Sequence, residues 1–142
     1  MDGNQIFKIV KRDQCLHEHF RGIFARDQVP RCLMPGYFLW NTDLYSGKGV
    51  HWVCVYVSPT QEVEFFDSFA KPPQFYGWDI SQDVKYNKKP LQSTDSDVCG
   101  MFCIFYLYFR CRGLSMDSII ANFGQNTREN DTFVLQFMHI FK

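Results

Sequence analysis

The sequence has no excess of charge, because fifteen basic and fifteen acidic residues cancel. A global field that would draw nucleic acid or an anionic membrane is therefore missing, and only local patches remain. There is also no apolar run long enough to span a bilayer, which takes about 20 residues. The longest, residues 98–109, is interrupted by Gly100. A soluble chain is expected. No internal repeat, low-complexity stretch or Pro/Gly/Ser-rich linker divides the 142 residues, so a single domain over residues 1–142 is expected. Residues 1–10 show no signal-peptide pattern. The six cysteines contain no CxxC pair and no Cys/His spacing of a zinc site. With no metal spacing and so much core-forming material, a disulfide scaffold is not expected either. Cys54, Cys103 and Cys111 sit in apolar runs and read as buried free thiols.

What the chain does have is apolar mass: 46% hydrophobic and 18% aromatic residues, fifteen of them Phe. Ile6, Phe7, Ile9 and Val10 recur at helical spacing and predict a helix over 4–11 with Asn4 as its cap. A less regular stretch is expected from there to Pro35. Residues 37–40, 51–57, 63–66 and 84–86 read as strands, the middle two joined by Ser58-Pro59-Thr60 as a hairpin. Those two are apolar on nearly every position, as strands covered on both faces are. Residues 99–112 are apolar all round and predict a buried central helix, stopped by Gly113. Further helices are expected at 116–122 behind Ser115 and at 132–141 behind Asn130 or Asp131. The expected fold class is α+β, with a central helix packed on a small mixed sheet and flanked by helices.

Cys99 alone among the cysteines stands where chemistry favours a thiolate. It opens the buried helix, and a helix N-terminus stabilises negative charge. Gly100 beside it would let a substrate backbone approach closely. The other five cysteines read as small buried hydrophobes. Of four histidines, His17 and His19 lie in a polar segment and His139 on an amphipathic helix surface. His51 begins a core strand after the glycine-bearing loop that holds Gly47 and Gly49, and strand ends open into clefts. Asp67 closes the neighbouring strand, where it could either orient His51 or cap the turn into Ser68-Phe69. Asp95 and Asp97 are nearer to Cys99 in sequence, but a carboxylate beside a thiol opposes its ionisation. Gln92, seven residues before Cys99, is a candidate donor to a developing oxyanion, together with the Cys99 backbone N–H. Trp52 either covers the imidazole or packs in the core.

At Gly49-Val50-His51-Trp52, Phe65-Phe66-Asp67-Ser68-Phe69, Gln92 and Asp97-Val98-Cys99-Gly100-Met101-Phe102-Cys103, the sequence strongly resembles the adenovirus-type cysteine proteases (adenain). These are related to the SUMO-specific, Ulp-like proteases. The single dipeptides are weak signals, whereas the ordered set His, Asp, Gln, Cys is a strong one. The resemblance implies a papain-like fold, a Cys99 nucleophile, a His51 base, an orienting Asp67 and Gln92 in the oxyanion hole. It further implies an extended substrate cleaved next to small residues, commonly glycine, against which Gly47, Gly49, Trp52 and Gly100 would lie. The implied role is maturation of viral capsid or core precursors by a monomer in the virion and the host nucleus or cytoplasm. An isopeptidase acting on ubiquitin-like tails is the alternative with the same chemistry, and a non-catalytic binding module is the alternative without it.

Three departures bear on regulation. The chain is shorter than the adenovirus enzymes, and those are stimulated by DNA and by a disulfide-bonded viral peptide. No cysteine lies between Cys54 and Cys99 to make that bond. Neutral charge leaves DNA only the small patch of Lys85, Lys88 and Lys89, whose ordinary role is solvated edge protection. The expectation is an enzyme that requires no cofactor, from a small adenovirus-like virus or virus-like transposon.

Overall fold

The computed structural model describes residues 1–30, 32–43, 51–80 and 82–142. Helix α1 spans Gly3–Arg12 and buries Ile6 and Val10. Its cap is Asp2, not Asn4: the Asp2 carboxylate accepts the Gln5 N–H at 2.9 Å, and the Gln5 side chain accepts the Asp2 N–H at 2.8 Å. This reciprocal box satisfies two donors that a cap at Asn4 would leave open. The stretch expected to be irregular is ordered. Helix α2 (Gln14–His19), capped by Asp13, runs into strand β1 (Phe20–Phe24). Six residues are too few for a helical period to show, and Gly22, at φ +137°, interrupts the strand's register.

Strands β2 (Gly36–Asn41), β3 (Trp52–Val57), β4 (Val63–Phe66) and β5 (Val84–Tyr86) complete a five-stranded sheet in the order β1-β2-β3-β4-β5. The outer pairs are parallel and the two inner pairs antiparallel, so the sheet is mixed. Strands β4 and β5 occupy the residues read from the sequence.

Helix α3 (Cys99–Cys111) crosses one face of the sheet. Phe102, Cys103 and Tyr106 pack there with Leu39, Cys54 and Phe66, and the Phe66 and Tyr106 rings stack at 4.4 Å. Each such buried side chain contributes roughly 1.5–3 kcal/mol through the apolar area it removes from water. One charged clamp fixes the far half of the helix: Arg110 donates to both Glu64 oxygens at 3.0 Å, and the Tyr106 hydroxyl donates to Glu64 at 2.5 Å. The other sheet face carries Phe38, Trp40, Val53, Val55 and Phe65 under Leu33 and Trp78. Burial on both faces is why the strands read as continuous apolar runs.

Helix α4 (Met116–Ile120) is capped by Ser115 as expected. Helix α5 (Thr127–Phe137) begins five residues before the expected start, and Asn126 caps it. Asn130 and Asp131, expected as caps, are buried inside the helix. Asn130 Nδ2 donates to the carbonyls of Leu91 (3.1 Å) and Gly124 (2.9 Å), while Asp131 accepts the Ser93 N–H at 3.3 Å. Helix α5 thus holds the loop that leads to Cys99. Among the described residues no helix is long and apolar enough to cross a membrane.

Candidate active site

The antiparallel register of β3 and β4 pairs Cys54 with Phe66 and Val55 with Phe65. Continued past the strand ends, it sets His51 across from Phe69 and brings Asp67 to the same rim. The His51 and Phe69 rings accordingly stack at 4.6 Å. His51 Nε2 lies 2.5 Å from Asp67 Oδ1. Because a carboxylate only accepts, Nε2–H is the donor, and Nδ1 is left for Cys99.

Asp67 is fully buried and well held. Besides His51, Oδ1 accepts the Phe69 N–H at 3.0 Å, and Oδ2 accepts the Lys71 N–H at 3.1 Å and the Tyr76 hydroxyl at 2.5 Å. Its backbone is braced as well. Asn87, just beyond β5, accepts the Asp67 N–H at 3.0 Å and donates to the Asp67 carbonyl at 2.6 Å. So Asp67 both hydrogen-bonds His51 and caps its own turn.

Cys99 occupies the first turn of α3, and no side chain caps that helix. The first N–H groups therefore stay directed at the thiol and the space before it. The Trp52 N–H reaches Cys99 Sγ at 3.4 Å, while Cys103, one turn on, donates its thiol to the Trp52 carbonyl at 3.4 Å. Two cysteines on one face of α3 thus fasten the start of β3 to the helix. This places His51, the residue before Trp52, beside Cys99.

Burial raises the Cys99 thiol, but the hydrogen bond to His51, the Trp52 N–H, the imidazole charge and the Gly100 N–H together lower it below the ordinary thiol value. For His51, burial disfavours protonation. The hydrogen bonds and charges of Asp67 and Cys99 outweigh this and raise it from the ordinary 6.5 to about 9. A thiolate–imidazolium pair is the form these shifts favour. Cys103 and Cys54 are pushed the other way by burial.

Gln92 is buried, and its amide is engaged in the loop before Cys99. Its oxygen accepts the Ser68 hydroxyl at 2.5 Å, and Nε2 donates to the Ser96 carbonyl and hydroxyl at 3.0 and 3.1 Å. Gly100 is buried under Ile6, Trp52 and Met1, which would lie about 3.4–3.5 Å from an added Cβ. The Trp52 ring does not cover the imidazole. Neighbouring strand residues point to opposite faces, so Trp52 turns toward α3 and donates its indole N–H to the Met1 carbonyl at 3.0 Å. Phe69 and Tyr76 are the rings against His51 among the described residues. Gly47 and Gly49 lie outside the described residues. Tyr76 and Asn87 are the site residues that sequence reasoning missed. Nothing in the sequence near Tyr76 marks it, since its bond to Asp67 is made by the fold. Among the described residues no group of three His, Cys, Asp or Glu side chains could hold a metal.

No protein-family model matches the chain. The protease of ovine adenovirus D serotype 7 is 25% identical over 165 residues, covering 87% of this chain and 79% of that protein. The protease of snake adenovirus serotype 1 is 27% identical over 140 residues, covering 80% and 66%. Over most of its length the chain is thus similar to adenovirus proteases, in keeping with the resemblance read from its sequence. Among solved structures, ChlaDub1 from Chlamydia trachomatis matches with a TM-score of 0.52 at 14% identity, over 98% of this chain and 76% of that one. That likeness speaks to the shared α+β fold alone.

Proposed function

We propose that this protease hydrolyses peptide bonds with Cys99 as nucleophile, His51 as base and acid, and Asp67 as the group that orients His51. The observation that carries the reading is the convergence of the three side chains, with His51 bridging Asp67 at 2.5 Å and the Cys99 thiol. Cys99 Sγ attacks the substrate carbonyl carbon and forms a tetrahedral oxyanion. The Cys99 backbone N–H at the open helix end donates to that oxygen. Gln92 supplies a second donor once one of its two bonds to Ser96 is exchanged for the substrate. Imidazolium His51 then protonates the leaving amine as the C–N bond breaks, giving a thioester. His51 next takes a proton from water, whose oxygen attacks the thioester and releases the acid and the thiolate.

The substrate class follows from the family. The substrates it points to are extended segments with glycine at the scissile bond, as in viral capsid or core precursors. The test is to incubate the purified chain separately with glycine-containing precursor peptides and with SUMO- and ubiquitin-linked conjugates, and to identify products by mass spectrometry. Cleavage of precursor peptides next to glycine is expected. Cleavage confined to the isopeptide conjugates would overturn the substrate class while leaving the triad in place.

A further inference from the structure

Ser68 follows Asp67 directly and is fully buried. Its hydroxyl donates to Gln92 Oε1 at 2.5 Å, and its carbonyl accepts the N–H groups of Leu91 and Gln92 at 2.9 and 3.1 Å. One residue thus holds Gln92 by both its backbone and its amide. The turn after β4 therefore reaches two parts of the site. Asp67 holds His51 at 2.5 Å, and the next residue holds the amide in the loop before Cys99.

The bond also bears on which end of the amide is available. A hydroxyl can donate or accept, so Ser68 alone would tolerate either orientation. On the other side the Ser96 carbonyl only accepts, and the Ser96 hydroxyl gives its proton to the Ser93 carbonyl at 3.1 Å. Both Ser96 oxygens therefore take their proton from Nε2, which leaves Oε1 for the Ser68 hydroxyl. When Nε2 exchanges one Ser96 bond for a substrate oxyanion, that preference weakens and the Ser68 bond remains. Without it, Oε1 is a buried acceptor lacking this donor, and a turned amide would set a negative oxygen against the oxyanion. We propose that Ser68 is a positioning residue that keeps Gln92 Nε2 facing the reacting carbonyl, so that the Asp67-Ser68 turn serves the base and the oxyanion donor together. This rests on the oxyanion role given to Gln92 above.

The unaltered chain, Ser68→Ala, Gln92→Ala and the double variant are compared in two reactions, with Cys99→Ala as the blank. One is acylation by the p-nitrophenyl ester of N-benzyloxycarbonylglycine, read as kcat/KM from p-nitrophenolate release. The other is alkylation by iodoacetamide, followed at Cys99 by peptide mapping. Acylation passes through an oxyanion, whereas alkylation attacks a saturated carbon and forms none. Gln92→Ala is expected to lose about a hundredfold in acylation, the usual worth of one oxyanion donor. Ser68→Ala should lose about tenfold, and the double variant no more than Gln92→Ala alone. Alkylation of Cys99 should keep its rate in all four. If Ser68→Ala does not fold, Ser68→Cys, whose S–H donates weakly, carries the same comparison. Acylation unchanged in Cys99→Ala or in Gln92→Ala removes the role given to that residue, and the proposal with it. With both of those slow, the proposal alone is overturned by full-rate Ser68→Ala, by losses that multiply in the double variant, or by alkylation slowed as much as acylation.

Discussion

Tyr76 donates its hydroxyl to Asp67 Oδ2 at 2.5 Å while its ring lies 5.9 Å from that of His51. One side chain thus steadies both the carboxylate and the imidazole that the carboxylate orients. Removing only the hydroxyl, as in Tyr76→Phe, keeps the ring against His51 and leaves one carboxylate lone pair unpaired. A hydrogen bond to a charged group contributes roughly 1.5–3 kcal/mol. With Asp67 still held by three other donors, kcat/KM is expected to fall about tenfold and KM to stay the same. Steady-state kinetics on a glycine-containing peptide measures both.

Protonation of His51 ties stability to pH. Its folded value, about 9, lies above the ordinary 6.5, so the folded state holds the proton more tightly than the unfolded chain does. The stabilisation is fully present below pH 6.5 and is lost as pH rises through about 9. Thermal midpoints should therefore decline across that window in the unaltered protein. In His51→Phe the decline should be smaller. Activity should fall over the same upper limb, because the thiolate–imidazolium pair loses its proton there.

Alkylation should separate the thiols. The Cys99 thiol is lowered by its neighbours, whereas Cys54 and Cys103 are fully buried and raised. Iodoacetamide at pH 6 should modify Cys99 well before Cys54 or Cys103, which should react only after denaturation. Peptide mapping by mass spectrometry reads the order directly.

Much of this was legible because the elements that matter are strongly patterned. Strand β4 and helix α3 declare themselves by apolar runs with clear stops, and Asp67 and Cys99 sit at their ends. Cys99 opens a helix with no polar face, and Asp67 follows an apolar strand directly. Helix α2 and strand β1 were hidden because six and five residues, half exposed, give too few turns or alternations to establish a period. The start of helix α5 does not show in the sequence because its first turn, Thr127-Arg128-Glu129, is polar. Asn130 and Asp131 look like caps in sequence, yet they serve as buried anchors for the loop before Cys99. Tyr76, Asn87 and the Ser96 partners of Gln92 are joined to the site only by tertiary contact, which no local pattern encodes.

The Glu64–Arg110 clamp is expected to be structural. Both side chains are mostly buried, at 16% and 20% exposure, and Tyr106 shares the same carboxylate. Glu64→Ala would leave the Arg110 guanidinium and the Tyr106 hydroxyl without their acceptor. After allowing for partial solvent access, a loss of about 2 kcal/mol in unfolding free energy is expected. Urea denaturation at pH 7 measures it, with alkylation of Cys99 unchanged in the folded protein.

The central claim is that Cys99 is the nucleophile of the His51–Asp67 pair. Its most direct test is cleavage of one glycine-containing peptide by the unaltered chain and by Cys99→Ala, with circular dichroism to show that both are folded. The unaltered chain should release product through a thioester that mass spectrometry finds on Cys99, and Cys99→Ala should release none. Product formation by folded Cys99→Ala at the rate of the unaltered chain would contradict the claim.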